Sequence, residues 1–551
     1  MRSVLILLAL SCAFMPSPQS RIIVVPDDMP SIQSAIDAAT AGDTILVMPG
    51  TYVENIDFKG KRLVVAGRYI FSGDTADISR TVIDGNRQNP VVRLSEGEAP
   101  GTTLMGFTIT NGKGIYHFYA IVGAGIFCLG SSPTIAANII KGNVIRENHE
   151  LAFGGGVYSH GGSPVLTGNV IVGNGAYGMT TGYPLSFPVG TGGGIGLRNV
   201  KHGRIMDNII EDNATNAWSA GFCARHYERI DFLRNTVLRQ GSEASDGVLS
   251  CESGDTLVFI GNRMVESVST ALHIRDCGAA VLANNVISRK SREPGLSLRE
   301  TRASIINNTF VENGDLPSDH ALVVDCDITM QNNIAAGYGR IAVRPGENQS
   351  GTSIRLSSNV FSNTVLTPYP DFDPSDTLIY VNRNGVPCDE WGNIFRDPEF
   401  VSDSSDYHLE EMSPCINAGD TKGTAGLLPG IDHDGNPRIQ GSAIDIGAYE
   451  YPQPLSAVRP PADPTIFLHA NFPDPWYPAT TIRYYLGKSA RVSLLISDHR
   501  GRERRRLIDG EFQTKGMHDV HLDASGLPAG VYFYTLMAGG QRLTQKMILL
   551  R

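Results

Sequence analysis

Seven charged residues between positions 225 and 325 keep a near-constant distance from an asparagine. Arg225, Glu252, Arg275, Asp276, Arg299, Glu300 and Asp325 lie eight to ten residues before Asn235, Asn262, Asn285, Asn308 and Asn333. His226 and His273 stand beside them, and Arg344 is a candidate extension of the row. Side chains that recur at the period of a coil line one face of it, so the row predicts a strip of both signs. Arginine forks grip carboxylates and sulfates bidentately, which suits a long polar or acidic polymer. The same strip also reads as a solvated surface whose ion pairs each contribute little. Catalysis is a third option. A polysaccharide lyase needs Ca2+ or Arg to neutralise a uronate carboxylate, and a Lys, Arg or His base. A glycoside hydrolase needs two carboxyl groups about 5 or about 6.5–9.5 Å apart. Glu252, Asp276 and Glu300 on rungs about 4.8 Å apart meet either demand. No complete signature of either chemistry accompanies them, so no catalytic role is assigned.

The strip requires a repeat to position it. The unit is Asn-x-aliphatic, often with a second Asn five residues on, as in Asn143-Val-Ile-Arg-Glu-Asn148, Asn169-Val-Ile-Val-Gly-Asn174 and Asn208-Ile-Ile-Glu-Asp-Asn213. Weaker copies begin at Asn235, Asn262, Asn285, Asn308, Asn333 and Asn359, giving steps of 26, 39, 27, 27, 23, 23, 25 and 26. The long step contains the Gly-, Pro- and Tyr-rich stretch 176–190, which predicts a loop inserted between rungs. Each period holds two or three short strand-like runs and no room for a ten-residue helix. The prediction is a coil of parallel strands with about a dozen rungs. Asn at its bends tolerates left-handed backbone, and its amide can bond the Asn of the next rung. Gly123, Gly154 and Gly192 open Gly-rich triplets ahead of strands and read as corners, since no Gly-Lys-Ser/Thr follows to cradle phosphate. Cys223, Cys251 and Cys277, spaced by 28 and 26, read as an inward stack. No CxxC pair suggests a metal site. Asp432-His-Asp-Gly-Asn436 reads as a turn, because a calcium loop would need its Gly at the sixth position and a distant Glu.

Composition narrows the setting. The 56 acidic and 46 basic residues give a net charge of −10, which excludes a basic nucleic-acid coat. Residues 1–20 carry Arg2, an apolar run over 4–10 and small residues at 11–13, the pattern of a secretory signal too short to span a bilayer. No later run approaches membrane-spanning length. Of the 8 cysteines, Cys388 and Cys415 are candidates to pair in an oxidising compartment.

Two resemblances follow. Ser31-Ile-Gln-Ser-Ala-Ile-Asp37, Gly42-Asp-Thr-Ile-Leu-Val-Met-Pro-Gly-Thr-Tyr52, Thr81-Val-Ile-Asp-Gly85, Gly106-Phe-Thr-Ile-Thr-Asn111, Asp397-Pro-Glu-Phe400, Ser413-Pro-Cys-Ile-Asn-Ala-Gly-Asp420 and Asp445-Ile-Gly-Ala-Tyr-Glu450 resemble segments of pectin-lyase-like proteins. The resemblance covers residues 21–452. It implies a right-handed parallel β-helix but no single activity, because that fold hosts lyases, hydrolases, epimerases and inert adhesins. Ile32, Ala35, Ile36 and Ala39 share one face of a short helix, expected to cap the coil.

Residues 453–464 form a Pro-rich linker, and 465–551 alternate apolar and polar residues as a small β-sandwich would. This last segment resembles the C-terminal sorting domain of type IX secretion through Asn471-Phe-Pro-Asp-Pro-Trp-Tyr-Pro478, Asp498-His-Arg-Gly-Arg502, Leu527-Pro-Ala-Gly-Val-Tyr-Phe-Tyr534 and Lys546-Met-Ile-Leu-Leu-Arg551. Its implied sorting residues are Asp498, Gly501, Arg502, Gly530, Tyr532, Lys546 and Met547. The expectation is therefore an all-β chain, a right-handed parallel β-helix solenoid followed by a β-sandwich. It would be secreted or displayed on the outer-membrane surface of a Gram-negative bacterium by the type IX machinery. There it would bind extracellular polysaccharide or another surface polymer, with no cofactor (Ca2+ only if a lyase) and no nucleic acid. A polysaccharide lyase or glycoside hydrolase, and a structural adhesin, are the alternatives.

Overall fold

The computed structural model describes residues 20–452 and 466–549, except 147–150, 179–189, 218, 243–247, 268–270, 290–294, 313–321, 326, 338–339, 344–353, 363–364, 368–379, 403–405, 423–426, 469–470, 472–478, 487, 499–501 and 529. The signal region 1–19 and the linker 453–464 lie outside them. The chain is all-β, a parallel β-solenoid of about nine turns with small C-terminal sheets. Residues 67–80 leave the coil to form the helices Tyr69–Ser72 and Thr75–Arg80. Among the described residues no helix is long and apolar enough to cross a membrane.

Two compact units divide the chain, Met1–Ala66, Thr81–Val258 and Glu266–Ala279 in the first, and Gly67–Arg80, Phe259–Val265 and Ala280–Arg551 in the second. The first unit opens with the predicted helix, Ile32–Ala38. Ser31 caps it through a box with Ser34, and the Glu54 carboxylate accepts from the N–H groups of Ile32 and Gln33 at 3.0 and 2.9 Å. Those bonds satisfy donors that a helix start leaves open. Ile32, Ala35 and Ile36 are buried against the strands Ile22–Val25, Thr44–Val47 and Ile56–Asp57.

One parallel sheet of this unit runs through Val92–Leu94, Ile126–Leu129, Val157–His160, Ile195–Arg198 and Phe222–Leu233, each in register with the next. Gly123, Gly154 and Gly192 lead into it with φ of 60°, 65° and 62°, the left-handed corners expected. The turn is tight. A Cβ at Gly155 would lie 2.5 Å from the Gly175 carbonyl oxygen and 2.6 Å from that of Gly193.

A second sheet contains Thr108–Thr110, Ile139–Lys141, Val170–Val172, Ile209–Glu211 and Thr236–Leu238. Asparagines stand at both ends of its short strands and form two rows. In one, Asn138, Asn169 and Asn208 each donate from Nδ2 to the Oδ1 of the next, ending at Asn235, over 3.2, 2.9 and 3.0 Å. In the other, Asn143 donates to Asn174 and Asn174 to Asn213, both at 3.0 Å, and Asn213 donates to Gln240. This corrects the alignment made from sequence. Asn143 is the far member of a pair whose near member is Asn138, so the spacing to the next rung is 31 residues, not 26. The left-handed residue is also not the row asparagine but the one before it: Ala137, Gly168, Asp207 and Arg234 have φ of 49°, 63°, 57° and 51°.

The second unit continues the same device through Asn262, Asn285, Asn308, Asn333, Asn359 and Asn393, every step 2.8–3.0 Å. Asp389 closes this row: its carboxylate accepts from Asn393 N at 2.7 Å and Asn393 Nδ2 at 2.9 Å. The closing segment is held by a buried cation. Arg438 donates to Glu450 at 2.8 Å and to the Asn284 side chain, with Asp445 and Asp432 buried nearby in the same loop structure. Asp432 accepts from the N–H groups of Asp434, Asn436 and Glu450, so the 432–436 segment is a turn whose carboxylate faces its own backbone. Cys388 and Cys415 are buried free thiols within one core cluster, and the disulfide considered from sequence does not join them.

Residues 466–549 build two antiparallel sheets around one core. Ile466–Leu468, Ala479–Leu486 and Gly516–Asp523 form the first, and Glu503–Gln513, Ala490–Asp498, Gly530–Ala538 and Gln541–Leu549 the second. Tyr484, Tyr534 and Met547 are fully buried between them.

Candidate functional site

Strand alternation sends every second side chain outward. On the first sheet of the first unit, Leu129, His160, Arg198 and Arg225 fall opposite one another on successive rungs. The Arg225 guanidinium reaches Glu252 at 3.2 Å. Arg225 and Glu252, two residues of the strip read from the sequence, thus form an ion pair, and the column of Arg225 extends in the N-terminal direction to Arg198 and His160. The next outward column is Phe127, Tyr158, Gly196 and Cys223, with Phe127 and Tyr158 stacked at 6.3 Å.

A hairpin overlies these columns. Its strands Ile115–His117 and Ala120–Val122 are antiparallel, joined by Phe118 and Tyr119 alone. Both turn residues have positive φ, 44° and 64°. Asn and Gly usually occupy such a turn, and bulky side chains there mark strain that tends to collect at functional sites. Phe118 and Tyr119 are 65% and 78% exposed, and Tyr116 is exposed too. The His117 ring sits 5.5 Å from Phe127 and 5.4 Å from His160, and Phe118 lies 5.5 Å from His160. Burial lowers the pKa of His117 and His160, and the nearby Arg198 lowers both further. Both rings are thus held toward the neutral form.

The remaining predicted residues divide by environment. His226, Asp276 and Glu300 have φ of 54°, 51° and 49°; they are exposed corner residues beside the strip rather than members of it. Arg275 and Arg299 are exposed on strands, Arg299 in register with Asp325, and His273 is half-buried. Arg344 lies outside the described residues. Cys251 and Cys277 are buried, and the Tyr227 hydroxyl donates to Cys277 Sγ at 3.5 Å. Cys223 instead falls in the column that faces the hairpin, so the three cysteines are not one inward stack. Sequence reasoning missed His117, His160, Arg198 and the Phe118–Tyr119 turn. A signal existed for two of them: His160 and Arg198 stand nine and ten residues before Asn169 and Asn208, the spacing that picked out Arg225.

In the C-terminal domain the implied sorting residues have structural partners. Asp498 is buried and accepts from Arg502 and Arg504 at 2.9 and 3.0 Å. The Tyr532 hydroxyl donates to the Pro528 carbonyl at 2.6 Å, Met547 is in the core, Gly530 opens its strand and Lys546 is exposed. Gly501 lies outside the described residues.

Fold and face together define a parallel β-solenoid with a mixed His/Arg/Glu column beside an aromatic hairpin. Residues 188–320 of the chain match the family described as periplasmic copper-binding protein (NosD). No curated protein matches the chain. Among the described residues no group of three or more His, Cys, Asp or Glu side chains is arranged to hold a metal ion. Burial raises the thiol pKa of Cys128, Cys251, Cys277 and Cys415, which disfavours the thiolate a soft metal takes. The residues described do not fit a copper centre.

Proposed function

We propose that the protein is an exported β-solenoid that binds an extracellular polysaccharide on the face formed by the 115–122 hairpin and the His160–Arg198–Arg225 column. The observation that carries this reading is the Phe118–Tyr119 turn, two large aromatics exposed to solvent in a backbone geometry that disfavours them. Exposed aromatic surface rimmed by polar groups suits a partner that offers both an apolar face and hydroxyls, as a sugar ring does. A lyase or hydrolase has less support, because the Glu252 carboxylate is engaged by Arg225. The purified full chain should be retained by an insoluble polysaccharide column, and Phe118→Ala with Tyr119→Ala should cut the affinity at least about tenfold. Unchanged retention of the double variant would remove the hairpin from the site.

We also propose that residues 466–549 are a type IX secretion sorting domain. The support is the four sequence motifs, together with a core that places Tyr532 and Met547 inside and holds Asp498 by two arginines. Deleting residues 463–551 should leave the protein in the periplasm of a bacterium with that machinery. Delivery of the truncated chain to the surface at the normal level would refute the assignment.

A further inference from the structure

Eight buried side-chain nitrogen or oxygen atoms find no hydrogen-bond partner among the described residues, and four of them share one face: His117 Nε2, His160 Nδ1, Arg198 Nε and Arg225 Nε. Native proteins leave few such atoms, so four on one surface point to a ligand. Their relative placement is set by the fold. His160, Arg198 and Arg225 are neighbours on consecutive rungs, and the His117 and His160 rings are 5.4 Å apart. Asn199 Nδ2 donates to His160 Nε2 at 3.1 Å, which puts the ring proton on Nδ1. Three of the four atoms are therefore N–H donors without an acceptor.

The charge is also unbalanced. Two guanidinium groups stand on adjacent rungs, and the carboxylate paired with them is that of Glu252, bound to Arg225 through Nη2. Arg198 has no ion-pair partner among the described residues. Nε is one prong of the side-on fork with which arginine grips a planar or tetrahedral oxyanion. A neutral hydroxyl accepts from two donors at most and carries no charge, whereas a carboxylate or sulfate can accept from several and offset the positive charge.

We infer that His160, Arg198 and Arg225, edged by His117 and the Phe118–Tyr119 turn, form an oxyanion subsite for the carboxylate or sulfate of an acidic sugar. This rests on the polysaccharide reading above and narrows it to acidic glycans. The aromatic turn would cover the sugar ring while the two rungs hold its anionic group.

The test uses the full chain with four probes: polygalacturonate, dextran sulfate, neutral dextran and free glucuronate, with affinities measured by calorimetry at fixed ionic strength. At least one acidic polymer should bind about tenfold or more tightly than dextran, and which one does so tells carboxylate from sulfate. Arg198→Gln should abolish that preference, and Arg198→Lys should not restore it, because a point charge lacks the fork. If Arg198→Gln does not fold, His117→Gln and His160→Gln serve as the readout, each expected to weaken binding of the acidic polymer by a larger factor than binding of dextran. Equal binding of acidic and neutral polymers, or a preference that survives Arg198→Gln, overturns the subsite while the polysaccharide reading stands. Arg198-dependent binding of glucuronate without binding of any polymer keeps the subsite and overturns the polysaccharide reading. No binding of any probe overturns both.

Discussion

Replacing Asn308 with alanine should destabilise the second unit by about 2–4 kcal/mol, and replacing it with aspartate should cost more. Asn308 is fully buried. Its Oδ1 accepts from Asn285 N at 3.0 Å and Asn285 Nδ2 at 2.8 Å. Its Nδ2 donates to Asn333 Oδ1 at 3.0 Å and to the Leu282 carbonyl at 2.9 Å. Alanine leaves the Asn285 backbone N–H with no acceptor and removes two donors, and each orphaned buried group costs about 1–3 kcal/mol. Aspartate keeps the shape and the acceptor. It also turns a charged oxygen toward two acceptors, Asn333 Oδ1 and the Leu282 carbonyl, and an unpaired buried charge is worse than a missing side chain. Urea denaturation of the three proteins measures the effect. An aspartate variant as stable as the natural chain would show that the row is not a chain of amide donors and acceptors.

The second large effect is expected at Arg438. Arg438, Glu450, Asp445 and Asp432 are all buried, 5%, 2%, 3% and 4% exposed. Three carboxyl groups thus share the neighbourhood of a single guanidinium. Burial raises Glu450 to about 8 and Asp445 to about 6, with each other's charge adding to the shift of Glu450 and Arg438 opposing it in both. Arg438→Met removes the buried donors that serve Glu450, the Asn284 side chain and the Gly447 and Ala448 carbonyls, and orphaned buried acceptors at about 1–3 kcal/mol each make a loss of about 3–5 kcal/mol at neutral pH. The pH dependence has a defined sign. Both groups hold protons in the folded chain that the unfolded chain has released above its own carboxyl pKa values of about 4. The stability they contribute is therefore complete below about pH 4 and falls as pH rises through about 6 and then about 8. Denaturation midpoints of the natural chain should drop from about pH 5 to about pH 8.5, and Glu450→Gln should flatten the upper part of that drop. A Glu450→Gln profile that falls as steeply as the natural one would assign the dependence to other groups.

How much of this could be read in the chain depends on the range of the interaction. The capping helix was legible because Ile32, Ala35 and Ile36 lie within one turn of each other and Ser31 stands at the start. The two C-terminal sheets were legible from strict alternation in runs such as Ala490–Asp498. The amide rows were seen, but their register was not. Two asparagines five apart flank one three-residue strand, and local spacing alone does not say which of them meets which in the next rung when rungs differ by 31, 39 and 27 residues. The strip was half seen for the same reason. Arg225 and Glu252 were found, whereas Asp276 and Glu300 were placed in it although one residue of offset puts them at the left-handed corner. The hairpin was invisible, since Phe118 and Tyr119 break the rule that a two-residue turn of this kind carries Asn or Gly.

Asp389 gives the amide row a direction. From Asn285 to Asn393 each asparagine oxygen accepts the backbone and side-chain N–H groups of the one before and its own pair is passed onward, but a carboxylate can only receive, so the relay stops there. A segment equal to one whole rung, spliced in anywhere upstream, would meet the same neighbours as the rung it copies. A segment of any other length would have to bulge out between rungs. The coil can thus lengthen or shorten in evolution by discrete steps without redesign of its interior, and a terminator of one residue sets where the counting ends.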